Sequence, residues 1–256
     1  MFRKNKIAML VAEFLGTGLL TMVLLGALRS QAGGFFVPVA AGILVVVITL
    51  AFAGISGAVI NPAITIALWS VRKLRALQAV AYIVAQFAGA AAAWYLFVYI
   101  TKYDTSMLTH EKVTEMLPRP MIAEAFGTFI FALAIAAAVY QRFRLSTKAW
   151  TFGIGLMAGA WVASLAAGGF LNPALAFGLQ QWNIWVYMLG PVLGAVLGMN
   201  LYNLLFVETE MNEVAVVETE LAEARVVSVP SKVTVAKKAP ARVKKAPAKK
   251  KVVAKK

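Results

Sequence analysis

The sequence predicts an all-α membrane protein with six transmembrane helices, two re-entrant half-helices and an inverted internal repeat. Two observations carry this. The 256 residues are 61% hydrophobic with a mean hydropathy of +0.78, whereas a soluble domain is about 45–50% apolar. Asn-Pro-Ala occurs at Asn61, Pro62 and Ala63 and again, 111 residues on, at Asn172, Pro173 and Ala174. Ala12-Glu13 and Ala123-Glu124 repeat at the same offset, and two motifs sharing one spacing indicate duplication.

The elements follow in order. Apolar runs at about 7–28, 36–56, 77–100, 121–140, 148–168 and 183–206 each have the roughly 20 residues that cross about 30 Å of hydrocarbon. The first follows Arg3, Lys4 and Lys6 but has no small-x-small cleavage site and carries Glu13, so it reads as a retained span rather than a leader. Two shorter pieces, about 61–71 and 172–181, start at the Asn-Pro motifs. They suit half-helices, which are tolerated at membrane depth only when buried in protein or lining a water-filled cavity. The halves run about 1–100 and 120–206, joined by a polar connector near 101–120 ending in Pro118-Arg119-Pro120. Three spans per half invert the second half, so the two half-helix N-termini meet near the bilayer midplane.

Charge sets the topology. Residues 1–206 carry 13 basic and five acidic residues, a net of +8. Nine of the 13 lie at 3–6, at Arg72/Lys73/Arg75 and at Arg142/Arg144/Lys148. Alternate loops are therefore basic, which places both termini in the cytoplasm and suggests the plasma membrane. Residues 1–206 form one channel-like domain, and 207–256 form a cytoplasmic tail. The tail holds six glutamates from Glu208 to Glu223, then a Lys/Ala/Pro-rich run from Val235 to Lys251. That composition cannot build a core and is expected to be disordered. It suits a solvated tail or contact with anionic lipid headgroups, with nucleic acid a poorer fit.

The repeated motif has a physical meaning. Pro suits the first helical position, and Asn is a preferred N-cap whose side-chain oxygen accepts from first-turn N–H groups. The amide NH₂ stays available to donate. Two such ends meeting head-on aim two donors and two positive helix-dipole ends at one point. Neutral oxygen-bearing solutes are favoured there, and cations meet a barrier.

At these residues the chain resembles the aquaporin and glycerol-facilitator (major intrinsic protein, MIP) family. The likeness covers about 7–206: Ala-Glu-Phe-Leu-Gly-Thr at 12–17, Ser-Gly-Ala-Val-Ile-Asn-Pro-Ala-Ile-Thr at 56–65, Ala-Gln-Phe-Ala-Gly-Ala at 85–90, Ala-Glu-Ala-Phe-Gly-Thr at 123–128, Gly-Gly-Phe-Leu-Asn-Pro-Ala at 168–174 and Gly-Pro-Val-Leu-Gly-Ala at 190–195. The resemblance implies an aquaporin-like homotetramer with one pore per subunit and Asn61 and Asn172 as central donors. Glu13 and Glu124, as intramembrane carboxylates, suggest a function such as a proton relay. The resemblance implies instead that each braces a re-entrant loop.

The chain also departs from the family. The pattern places Arg three residues after the second Asn, and here the position is Leu175. By the family's spacing the other outer-constriction positions are Ala41, Ala160 and Gly169, and a one-residue slip would bring in Gly42 or Trp161. The family's common His two residues before the first Asn is Val59. This mouth is small-residue, apolar and uncharged, hence wider and less discriminating, unless Trp161 or Arg119 refills it. Ala176-Phe177-Gly178 looks like the water-channel version, and Tyr187-Met188 keeps only the first of two expected aromatics.

The reading is a passive channel for water and small neutral solutes such as glycerol. A coupled secondary transporter also uses inverted repeats and broken helices, and a scaffolding membrane protein with a vestigial pore is the alternative of another class. With no cysteine, a single histidine at His110, and no nucleophile–base pair or phosphate loop, nothing implies an enzyme, a metal or a cofactor.

Overall fold

The computed structural model describes residues 4–30, 35–103 and 117–207. Helix α1 spans Lys4–Arg29, α2 Phe36–Phe52, α3 Pro62–Ser70, α4 Ala76–Thr101, α5 Pro118–Tyr140, α6 Leu145–Ala163 and α7 Pro173–Gly178. Helix α8 spans Trp185–Val207. The connector around His110 and the tail beyond Val207 lie outside the described residues.

Four helices, α1, α4, α5 and α8, are long and apolar enough to cross a membrane by themselves. The expected runs 36–56 and 148–168 end early, as helices of 17 and 19 residues. The cause lies just downstream, where the chain must turn into a re-entrant loop. Gly57 and Gly169 have φ of 93° and 67°, values that continue no right-handed helix. The connector also ends sooner than expected. Pro118 and Pro120 sit in the first turn of α5, where a missing N–H leaves nothing unsatisfied.

The short elements differ in kind. At about 1.5 Å per residue, the nine residues of α3 and six of α7 cannot cross a bilayer. Ser70, at the end of α3, accepts a hydrogen bond from Asn200 late in α8. Helix α7 instead ends just before the start of α8. The half-helices therefore point to opposite faces, with their N-termini together.

Helix α8 opens with a π-helical turn, Trp185–Leu189. Pro191 follows, and it cannot donate to the carbonyl one turn back. A widened turn is a common accommodation of such a lost bond. Asn183 Oδ1 caps this start, accepting from the N–H groups of Trp185 and Val186, both at 3.1 Å.

Helices pack as α1 on α4, α5 on α6 and α8, and α2 on α6. In lipid, such contacts rest on close van der Waals approach. A Cβ on Gly89 of α4 would fall on the Phe14 carbonyl of α1, and one on Gly194 of α8 on the Ala125 carbonyl of α5. The acceptors are 111 residues apart, so one crossing is built twice. The α2–α6 contact between the halves has its own pair, in which a Cβ on Gly42 would lie 2.8 Å from the Gly153 carbonyl. Gly194→Val is therefore expected to abolish a monodisperse folded peak in detergent. Gly26→Ala, which meets nothing within 4 Å, should match or exceed wild type by up to about 1 kcal/mol of helix propensity. Thermal unfolding read by size exclusion checks both, and a Gly194→Val protein as stable as wild type would refute the crossing.

Candidate functional site: an asparagine pair beneath an apolar mouth

Each motif caps its half-helix as its residue types require. Asn61 Oδ1 accepts from Ala63 N–H at 2.8 Å and Ile64 N–H at 3.4 Å. Asn172 Oδ1 accepts from Ala174 and Leu175 at 3.1 and 3.3 Å. Pro62 and Pro173 occupy the first helical positions. The amide nitrogens are less free than the sequence suggests. Asn61 Nδ2 donates to the Leu171 carbonyl at 2.9 Å, and Asn172 Nδ2 to the Ile60 carbonyl at 2.8 Å. Each loop thus holds the other, with the second N–H of each amide left over.

Glu13 and Glu124 are fully buried and stand behind this pair. Glu13 accepts from Val59 N–H at 3.0 Å on one oxygen and from Ile60 N–H at 2.6 Å on the other. Glu124 does the same with Phe170 at 3.0 Å and Leu171 at 2.8 Å. Each carboxylate thus accepts from two successive loop N–H groups just before the Asn. Ile60 and Leu171, each preceding its Asn, have φ of 42° and 55°. That region is rare for large side chains. It turns the N–H of each residue to a carboxylate and its carbonyl to the opposite Asn.

Two cavities lie along the axis. The central one, about 10 Å³, is walled by Asn61, Asn172, Val59 and Ile60 with Leu20, Val45, Phe131, Ile135, Phe152 and Leu156. That is room for about one water. Toward the end of α1 and the start of α2 lies a cavity of about 230 Å³. Ala41, Ala160, Gly169 and Leu175 all line it, with Leu24, Leu28, Val37 and Phe170. Among the described residues, none that lines either cavity is charged. Gly42 faces α6 rather than this space. Trp161 turns away, its ring stacked 5.1 Å from that of Phe35 and its indole N–H 3.3 Å from the Phe35 carbonyl. Arg119 is exposed and lines neither cavity.

A model of the major intrinsic protein family matches residues 2–202. The chain belongs to the major intrinsic protein family. Aquaporin AqpM of Methanothermobacter thermautotrophicus is 34% identical over 178 residues, covering 60% of this chain and 70% of that protein. Glycerol uptake facilitator protein-like 6 of Lactiplantibacillus plantarum is 32% identical over 200 residues, covering 73% and 93%. The aquaglyceroporin of Plasmodium falciparum, a solved structure, shares the fold with a TM-score of 0.66 at 20% identity, over 80% of this chain and 98% of that one. Major intrinsic proteins are channels rather than enzymes.

One residue of this family member's site carries no role in the sequence reading. Gln86, fully buried in α4, donates to Glu13 Oε2 at 2.8 Å and to Thr65 Oγ1 at 3.0 Å, joining carboxylate and half-helix. A Gln within an apolar span is the signal that finds it. Glu13→Gln and Glu124→Gln each set an amide donor against backbone donors. A buried unsatisfied group costs about 1–3 kcal/mol, so both variants should lose thermal stability and assembled yield while the flux that survives keeps its selectivity. Well-folded variants that lose only proton-dependent transport would overturn the brace.

Proposed function

We propose that the chain is a passive plasma-membrane channel for water and small neutral solutes such as glycerol, working as a homotetramer with one pore per subunit and both termini cytoplasmic. The carrying observation is the asparagine pair on the wall of a one-water cavity, with Leu156 shared between it and a larger mouth whose described lining residues are uncharged. Asn61 and Asn172 are the central donors. A water accepting from the spare N–H of both amides has both lone pairs occupied and cannot accept a proton from a neighbouring water, which breaks the proton wire. An ion entering walls without an opposite charge loses hydration without compensation, so cations are excluded. Ala41, Ala160, Gly169 and Leu175 form the outer mouth, and Glu13 and Glu124 brace the loops.

The orientation draws support from the basic turns. Lys73, after α3, sits 4.4 Å over the ring of Tyr140 at the end of α5. Arg72/Lys73/Arg75 and Arg142/Arg144 thus share one face, as a cytoplasmic surface requires. Residues 1–206 make the channel and 207–256 a cytoplasmic tail. Neither a coupled transporter nor a scaffold finds support in the site or the relatives.

Stopped-flow light scattering on proteoliposomes under sucrose, glycerol and urea gradients tests this. Linear, gradient-driven water flux above bare liposomes is expected, and saturable ion-dependent uptake would refute it. Leu175→Arg puts a donor and a charge in the mouth and should suppress glycerol flux more than water flux. Equal suppression of both would refute the wide mouth.

A further inference from the structure

The two cavities differ in size in the sense expected of a wide mouth lined by small residues. The mouth holds about 230 Å³ and the space at the asparagines about 10 Å³. Three helices descend from one to the other on a single face. Helix α1 offers Leu24 to the mouth and Leu20 to the centre, α2 offers Ala41 and then Val45, and α6 offers Ala160 and then Leu156. Each pair is four residues apart, one turn of the same stripe. On α2 and α6 the residue grows from alanine at the mouth to a branched aliphatic at the centre. Helix α5 closes the fourth side with Ile135.

We infer that solute size is selected by this aliphatic collar of Leu20, Val45, Ile135 and Leu156, with Leu156 the specificity-determining residue. The inference rests on the channel reading above. Among the described residues Leu156 alone lines both cavities, so its side chain forms the step between them. All four collar residues are at most 3% exposed and come from four different helices. A tightly packed ring of this kind does not widen without moving a helix. Its side chains offer no hydrogen bond, so a solute finds polar contacts there only on the side of the asparagines and their loop. One water does this readily. A polyol must fit a longer body and leave several hydroxyls unpaired while it passes. The collar therefore sets the water-to-glycerol ratio, and the mouth admits solutes that the collar then slows.

The test is water and glycerol permeability of wild type, Leu156→Ala and Leu156→Val in proteoliposomes, normalised to incorporated protein. Leu156→Ala should raise glycerol flux relative to water by roughly tenfold, equivalent to about 1.4 kcal/mol of barrier, with Leu156→Val in between. Ile154→Ala, on the exposed side of the same helix, should leave the ratio unchanged. If Leu156→Ala does not assemble, Leu156→Val carries the test in the same direction. An unchanged ratio in assembled Leu156 variants overturns the collar while the channel reading stands. Wild type with no water flux above bare liposomes overturns both.

Discussion

Two side-chain amides, each donating to the carbonyl that precedes the other, hold this fold at its centre. In hydrocarbon there is no water to satisfy a backbone group, and irregular chain survives only where it is buried in protein or lines a water-filled cavity. The segments before Asn61 and Asn172 are such irregular chain. Their N–H groups go to Glu13 and Glu124 and two of their carbonyls to the opposite asparagine. Remove the Asn61 amide and the Leu171 carbonyl loses its donor; remove the Asn172 amide and the Ile60 carbonyl is left to Thr17 at 3.3 Å. The two half-helices are therefore one device, although helix packing could hold their surroundings separately.

The same bonds explain the backbone strain beside them. A β-branched residue at φ of 42°, as Ile60 is, costs on the order of 1–3 kcal/mol and persists where surroundings over-determine it. Ile60 has a carboxylate on its N–H, and both Thr17 and Asn172 on its carbonyl. Relaxing its φ would break these bonds together. The halves are not equal in support. Glu13 has Gln86 as a further donor, whereas the stretch matching residues 85–90 in the second half reads Gly-Pro-Val-Leu-Gly-Ala at 190–195. Pro191 stands there in place of an amide, and the π turn of α8 precedes it.

The parts legible in sequence are those set by local chemistry or by period. Asn followed by Pro specifies a capped helix start whatever surrounds it, so Asn61 and Asn172 are readable alone. Long apolar runs place the helices to within a few residues. Helix ends at Phe52 and Ala163 are less legible, because a tertiary demand, the turn into a re-entrant loop, stops them. The direction of an amide N–H is less legible still, since the partner of Asn61 lies 110 residues away. Spacing brought Ala41, Ala160, Gly169 and Leu175 to one wall, yet cavity width follows from packing depth on four helices and has no signature in any one motif.

The mutual clasp also bears on how the chain is made. When a ribosome has released the first three spans, Ile60 has its carboxylate but not the amide that will take its carbonyl. Asn61 likewise has no carbonyl to hold. The first loop is thus incomplete until residues beyond 172 have entered the membrane, and the first half alone carries the cost of its strained backbone without the bond that offsets it. Pore formation becomes the closing event of biogenesis. A chain ending between the halves would lack the Asn172 amide and the Leu171 carbonyl that complete its first loop.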